Sequence, residues 1–154
     1  MSDFSQKLSD RLREISMNIT QLEEDALEDS GLGLTLSEMH LLGFIYNYEN
    51  AYGVGAGVRI SDIADALSIS RPSATVGAKK LHTKGYITKE PDPIDGRVTA
   101  ACLTTEGRRV YNRHRKSQSE VLEKLEKEFS QEEQNILLRA VDRMAEYYKG
   151  YKAK

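Results

Sequence analysis

The chain has 154 residues, of which 39% are apolar and 30% are charged, and its formal net charge is −2. A chain of this length can form one ordinary domain with a real core, and the many charged residues favour a surface-rich, helical shape. No apolar run approaches the roughly 18–20 residues of a membrane span and the N-terminus lacks a signal-peptide pattern, so we expect a cytoplasmic protein without membrane contact.

A long first helix is predicted at the N-terminus. Apolar residues recur every three or four positions from Phe4 to Ala26, which is the period of an amphipathic helix. The helix is expected to end near Ser30, because Gly31 and Gly33 follow it. The first 40 residues hold nine acidic and three basic residues, so this part of the surface is expected to face away from any polyanion.

A second helix is predicted over residues 36–48, with Ser37 as its N-cap. Its expected buried face consists of Met39, Leu42, Ile45 and Tyr46. The loop 50–58 that follows is rich in glycine. It lacks both the spacing and the Gly-Lys-Ser/Thr ending of phosphate-binding loops, so we interpret it as a plain flexible loop.

Two short helices joined by a tight turn are predicted next. Ser61 is expected to cap a helix over 62–67, and residues 68–70 form the turn. Ser70 is then expected to cap a helix over 71–84, with Pro72 in the first turn and Gly85 at the stop. This pattern predicts a helix-turn-helix.

The second of these helices lies in a stretch, residues 68–89, that has five basic residues and no acidic one. Its apolar positions Ala74, Ala78 and Leu81 are spaced to pack inward. The residues expected on the outward face are Arg71, Pro72, Ser73, Thr75, Val76, Lys79 and Lys80. A basic helix of this kind can enter the major groove of double-stranded DNA, although a merely solvated basic face is the alternative.

A β-hairpin is predicted behind the basic helix, with strands over 86–89 and 98–103. The turn between them, PDPIDG, is rich in Pro, Asp and Gly. Arg97 lies beside the turn, where an arginine can enter a narrow minor groove. Asp92 and Asp95 would repel phosphate and therefore need partners, and we expect Asp95 to pair with Arg97 and fix the turn.

Two C-terminal helices are predicted, one over 106–128 after a Thr104 cap and one after a capping box formed by Ser130 and Glu133. Their apolar stripes are longer than one small lobe can cover, so we predict that they pack against a second copy of the chain. The alternative is that the flanking helices pack on one another as a monomeric bundle.

Several segments together resemble the MarR family of winged helix-turn-helix transcriptional regulators. They are Leu-Thr at 34–35, ISDIADALSISRPSATVGAKKLHTKGYI at 60–87, DPIDGR at 92–97 and LTTEG at 103–107. The resemblance implies a mainly α fold with a small β-hairpin wing (α+β), in which residues 1–154 form a single domain. Residues 1–33 and 105–154 would be dimerisation helices, and residues 34–104 would be the DNA-binding lobe.

The resemblance also implies a function: a ligand-responsive homodimeric repressor that binds a pseudo-palindromic operator. Residues 71–80 would correspond to the recognition helix and Arg97 to the wing-tip arginine. Val76 departs from the basic or polar residue that the family often has there. Gly77 lies in mid-helix, where glycine costs roughly 1 kcal/mol relative to alanine.

The sequence gives fewer signals for an effector site than for DNA binding. Similarity of the N-terminal half to acyl-chain-sensing members implies an apolar ligand site, for which the expected lining is Ile15, Ile19, Leu22, Met39 and Leu42. The same residues make a normal core, which we favour.

A zinc-responsive alternative would use His40, His114 and nearby Glu24 and Glu38, but their spacing is not compact, so we predict no metal site and no cofactor. We expect Cys102 to have a structural role.

No nucleophile elbow, paired carboxylates or cofactor fingerprint indicates an enzyme. The remaining alternative from another class is a winged helix used as a protein-interaction module without DNA binding. The acid-free basic helix favours DNA, because a protein interface does not require it.

Overall fold

The structure, a computed structural model, describes residues 1–151, which form six helices and one three-stranded sheet. The elements are α1 Asp3–Ser30, α2 Leu36–Tyr52, β1 Val58–Arg59, α3 Ile60–Ala66, α4 Arg71–Thr83, β2 Ile87–Pro91, β3 Thr99–Leu103, α5 Thr105–Glu128 and α6 Gln131–Gly150. The chain forms two compact units, one over Met1–Ser117 and one that begins at Gln118. None of the helices described is both long and apolar enough to cross a membrane.

The sheet is antiparallel, with strand order β1-β3-β2. Strands β2 and β3 form the predicted hairpin, in which Ile87 lies opposite Leu103 and Pro91 opposite Thr99. Strand β1 adds a short third strand, because Val58 pairs with Ala101. The mainly α fold with a small β-hairpin wing is thereby confirmed, although β1 was not predicted, since two residues are too few to show an alternating pattern.

The start and the end of α2 differ from the prediction. Ser37 is not the N-cap: Thr35 Oγ1 accepts the Glu38 N–H at 3.2 Å, and the Glu38 carboxylate accepts the Thr35 N–H at 2.8 Å. This reciprocal pair is a capping box, which satisfies two backbone donors at once and is therefore favoured over an N-cap by Ser37 alone. The helix also runs on to Tyr52, so the glycine-rich loop is shorter than predicted.

The helix-turn-helix consists of α3 and α4. Ser61 does not cap α3, because β1 leads directly into the helix and Arg59 occupies the N-cap position without a side-chain hydrogen bond. The second helix follows the prediction: Ser70 Oγ accepts the Ser73 N–H at 3.2 Å, and Pro72 lies in the first turn. The turn between the helices contains Ser68, the one non-glycine residue of the described chain with a positive φ, at 54°.

The core lies between α2, α3, α4 and the sheet. Its largest fully buried side chains include Met39, Leu42, Ile45, Ile63, Leu81, Ile87 and Val58. The inward face of α4 is as predicted, because Ala74, Ala78 and Leu81 are buried. On α2 the prediction needs two corrections: Leu41 is also buried, and Tyr46 is only half-buried.

Gly77 has a steric role in the packing of α4 on α2. A Cβ at this position would lie 2.4 Å from Leu41 Cδ1. Real Cβ atoms do not approach other atoms so closely, so a side chain here would push Leu41 aside. The mid-helix glycine that weakens α4 intrinsically therefore allows the two helices to approach closely.

The flanking helices form as predicted but bury little. Thr104 Oγ1 accepts the Gly107 N–H at 3.0 Å at the start of α5, and Ser130 and Glu133 form the capping box of α6. Helix α1 buries only Leu27, and α6 buries no residue. Many of their apolar side chains are therefore exposed.

Candidate nucleic-acid interface

The outward face of α4 is exposed along its whole length. All seven residues predicted on this face are exposed: Arg71, Pro72, Ser73, Thr75, Val76, Lys79 and Lys80. Within residues 1–151, the cations Arg71, Lys79 and Lys80 form no salt bridge. The face therefore offers three cations and short polar groups to solvent, while three small or apolar residues on the opposite side fix the helix to the core.

Hydrogen bonds inside α4 define what its hydroxyl groups can do. Thr75 Oγ1 donates to the Arg71 carbonyl at 2.9 Å, so its oxygen remains free to accept a hydrogen bond. The hydroxyls of Ser70 and Ser73 share a hydrogen bond of 2.7 Å. Beside them, Val76 is 54% exposed and presents a purely apolar surface.

Lys84, the last residue of the helix predicted over 71–84, stabilises the fold through hydrogen bonds. Its ammonium group donates to both carboxylate oxygens of Glu38, at 2.9 and 3.1 Å, and to the Gly33 carbonyl at 2.8 Å. Burial by itself raises the pKa of the Glu38 carboxyl, but the Thr35 N–H and Lys84 outweigh it and lower that pKa below its ordinary value. This lysine fastens the C-terminal end of α4 to the start of α2.

The tip of the wing carries Arg97, whose side chain is 91% exposed. Arg97 Nε donates to Asp95 Oδ1 at 3.1 Å, and the Arg97 backbone N–H reaches the same oxygen at 3.1 Å. Its guanidinium group lowers the pKa of the Asp95 carboxyl. Asp95 thus has the partner that the sequence predicts, and the negative charge at the tip is compensated.

Asp92 is held at the base of the wing turn by Arg59. Arg59 Nε and Nη2 donate to the two carboxylate oxygens at 3.0 and 2.9 Å, and the Ile94 and Asp95 N–H groups donate to Oδ1. The Arg59 bonds, followed by the backbone bonds, lower the pKa of Asp92 to about 2. Because Arg59 is also the N-cap residue of α3, this pair joins the wing to the helix-turn-helix.

The basic start of α5 is largely engaged in the fold. Arg108 forms a salt bridge with Glu49, a carboxylate with no exposed side-chain surface, and Glu49 also accepts the Leu103 N–H at 2.8 Å. Arg109 pairs with Glu106 at 2.7 Å. Glu49 was not identified from the sequence, because nothing in its neighbourhood shows that a residue of α2 links strand β3 to α5.

Two comparisons show which proteins the chain resembles. A profile of the MarR family matches residues 32–98, the part that contains α3, α4 and the wing tip. YybA, an uncharacterised HTH-type transcriptional regulator of Bacillus subtilis (strain 168), is 30% identical over 105 residues. The chain is similar to regulators of the MarR family. The matched segment covers 68% of this chain and 65% of YybA, so the chain spans less than two thirds of that relative.

Solved MarR-family structures share the fold. Staphylococcus aureus MepR has been solved as a mutant bound to an oligodeoxyribonucleotide, at 26% identity and a TM-score of 0.61 over 92% of this chain and 97% of that one. MepR bound to ethidium bromide is 25% identical, with a TM-score of 0.62 over 91% and 95%. Streptococcus pneumoniae FabT in complex with DNA is 22% identical, with a TM-score of 0.76 over 96% and 99%, and shows the fold alone.

The five residues predicted to line an apolar ligand site differ in their burial. Met39 and Leu42 are fully buried in the core, Leu22 is half-buried, and Ile15 and Ile19 are 53% and 47% exposed. A cavity of about 230 Å³ between α1, α2 and α5 shares only Met39 with that set. Its lining is Ala26, Leu27, Asp29, Ser30, Leu32, Met39, Val110, Arg113 and His114.

The histidines and the cysteine do not assemble a metal site. Across residues 1–151, no group of three or more His, Cys, Asp or Glu side chains is arranged to hold a metal ion. His40 Nε2 lies 3.5 Å from Glu23 Oε2, and burial lowers the pKa of His114. Cys102 is buried on β3, where its thiol donates to the Gly55 carbonyl at 3.4 Å and burial raises its pKa. The thiol is therefore protonated at neutral pH and unreactive.

Proposed function

We propose that this chain is a sequence-specific, DNA-binding transcriptional regulator of the MarR family, with α4 in the major groove and Arg97 in the minor groove. The observation that carries the proposal is the exposed face of α4, which presents Arg71, Lys79 and Lys80, none of which forms a salt bridge within residues 1–151. A solvated surface helix normally carries charges of both signs, whereas a helix that binds a polyanion needs positive charges. The MepR and FabT structures that contain DNA support the same reading of the fold.

Base recognition is assigned to the first two turns of α4. Arg71 can donate two hydrogen bonds to guanine, and Val76 offers an apolar surface to a thymine methyl group. Thr75, whose hydroxyl proton is held by the Arg71 carbonyl, is left as an acceptor and therefore suits the amino group of adenine or cytosine. Lys79 and Lys80 contribute phosphate contacts, which add affinity without choosing a sequence.

The wing is proposed to add a minor-groove contact through Arg97. The side chain is exposed, and its neighbour Asp95 is paired with it rather than facing the phosphates alone. An arginine inserted into a narrow minor groove gains from the enhanced negative potential there. The Arg59–Asp92 pair keeps the turn that carries Arg97 in a fixed position relative to α3.

The acting species is proposed to be a homodimer that represses transcription at a pseudo-palindromic operator. Support comes from the apolar side chains of α6, of which Ile136, Leu137 and Val141 are 51%, 48% and 46% exposed. A stripe of this kind is stable in water when a second copy covers it, and a two-fold dimer presents two lobes to two half-sites.

We propose that a small-molecule effector regulates DNA binding. The cavity between α1, α2 and α5 supports this, because its lining combines apolar side chains with Asp29, Arg113 and a His114 Nδ1 that has no hydrogen-bond partner among the described residues. The MepR structure with ethidium bromide shows that a protein of this fold holds a small molecule.

The test begins with selection of a preferred duplex from a randomised DNA pool by the full-length protein. Anisotropy titrations of that duplex at two salt concentrations should show binding that weakens steeply with salt, because phosphate contacts release counterions. Arg97→Ala should lower the affinity and reduce the salt slope by roughly one for each chain of the proposed dimer. Arg13→Ala, which removes an exposed arginine from α1, is the matched control and should change neither quantity.

Two outcomes would contradict the proposal. One is a pool from which no sequence is enriched, and the other is binding that does not depend on salt. Either result would favour the protein-interaction alternative, since a winged helix that binds proteins has no need of phosphate contacts.

A further inference from the structure

The wing tip carries an unusual apolar residue, Ile94, which is 90% exposed. Single exposed apolar side chains are common on protein surfaces and by themselves indicate nothing. Ile94 differs because the backbone beneath it is held in place. Its N–H donates to Asp92 Oδ1 at 3.0 Å, and the N–H of Asp95 donates to the same oxygen at 2.9 Å.

The rest of the turn is closed in the same way. The Asp92 N–H donates to the Val98 carbonyl at 2.8 Å, and the Val98 N–H donates to the Asp95 carbonyl at 2.8 Å. Asp92 itself is 7% exposed and is fixed by the two bonds from Arg59. An apolar side chain on a tip fixed in this manner loses little conformational freedom when it is buried by a partner.

The chemistry around Ile94 indicates what that partner is. Arg97 lies on the same turn with its side chain 91% exposed, and the carboxylates of Asp92 and Asp95 are both compensated by arginines. The tip therefore offers one apolar group beside an exposed guanidinium group that balances the charge of Asp95, and neither Asp92 nor Asp95 is left unpaired. The minor groove of DNA matches both, because it combines a strong negative potential with walls made of apolar deoxyribose faces.

Resting on the proposed DNA-binding function, we propose that Ile94 is a second minor-groove residue, which packs against the deoxyribose walls beside Arg97. The two residues then make different contributions to the contact with the minor groove. Arg97 supplies the salt-dependent attraction, and Ile94 supplies a salt-independent apolar contact that requires the wing to sit deep in the groove.

The test compares Ile94→Ala with Val54→Ala on the duplex selected by the wild-type protein. Val54 is also an exposed apolar loop residue, at 82%, but it lies between α2 and β1 rather than at the wing tip. Ile94→Ala should weaken binding about tenfold, because several buried carbon atoms are lost, and should leave the salt slope at the wild-type value. Val54→Ala should bind as the wild type does.

A second measurement separates groove contact from any effect on folding. Hydroxyl-radical cleavage attacks deoxyribose from the minor groove, so the wild type should protect the sugars under the wing and Ile94→Ala should protect them less. Thermal unfolding of both variants should match the wild type, since neither side chain is buried. Ile94→Ala binding within twofold of the wild type, with unchanged protection, would overturn the inference while leaving the DNA-binding proposal intact. Failure of the wild type to bind any duplex would instead overturn the proposed function.

Discussion

The helix-turn-helix lobe and helix α6 contain similar apolar residues, but these are buried in the lobe and exposed on α6. In the lobe, Met39, Ile63 and Leu81 are at most 1% exposed and belong to one hydrophobic core. In α6, Leu138 is 63% exposed and no residue is buried. The apolar residues of the helix-turn-helix lobe are thus covered within one chain, whereas those of α6 are exposed. We expect a second copy of the chain to cover them.

The largest expected effect comes from a matched pair of leucine truncations. Leu81→Ala removes a fully buried side chain from the lobe and should lower the free energy of unfolding by about 2–5 kcal/mol. Leu137→Ala on α6 should instead weaken self-association, which raises the protein concentration at which the dimer dissociates, and its unfolding midpoint in urea should increase with protein concentration. A large, concentration-independent loss in Leu137→Ala would show that α6 is covered within its own chain.

A smaller effect is expected from two helical glycines. A Cβ at Gly107 would lie 2.0 Å from the Tyr86 carbonyl oxygen, which is backbone and cannot swing away, whereas a Cβ at Gly150 meets nothing within 4 Å. Gly107→Ala should therefore cost about 1–3 kcal/mol of stability, and Gly150→Ala should remain within about 0.5 kcal/mol of the wild type. Equal stability of the two variants in urea titrations would contradict the close packing of α5 on the loop before β2.

The smallest effect is a pH dependence confined to the wing. Because the folded-state pKa of Asp92 is lowered from 3.8 to about 2, its stabilising contribution is fully present above pH 3.8 and is lost as the pH falls through about 2. Carbon-13 NMR of the Asp92 carboxyl should give a midpoint near 2, while circular dichroism verifies that the helices remain folded. A midpoint near 3.8 would show that Arg59 does not hold this carboxylate. In Asp92→Asn, amide exchange at Ile94 should be faster at neutral pH.

Features with local signals could be predicted from the sequence. The boundaries of α4 follow from Ser70, Pro72 and Gly85, and its buried face follows from the spacing of its alanines, because capping and periodicity act over a few residues. The choice of N-cap on α2 was wrong even though Thr35 and Glu38 carry the capping-box spacing, which is a readable signal.

Features that join distant segments could not be predicted. Arg59 and Asp92 are 33 residues apart, and Glu49 and Arg108 are 59 residues apart. Each pair forms only after the sheet and α5 have placed its members together, and neither residue type is distinctive on its own. Charge counting also overstated the basic stretch 68–89, since Lys84 is paired with the buried carboxylate of Glu38.

We expect two helix-turn-helix lobes, one from each copy of the chain, to bind one stretch of DNA together. Sedimentation equilibrium of the 17.4 kDa chain, alone and with the selected duplex, measures how many copies are present. A protein mass of twice the chain is expected in both samples, with the mass of the duplex added in the second and lost at high salt. A single chain, whether free or on the duplex, would contradict it.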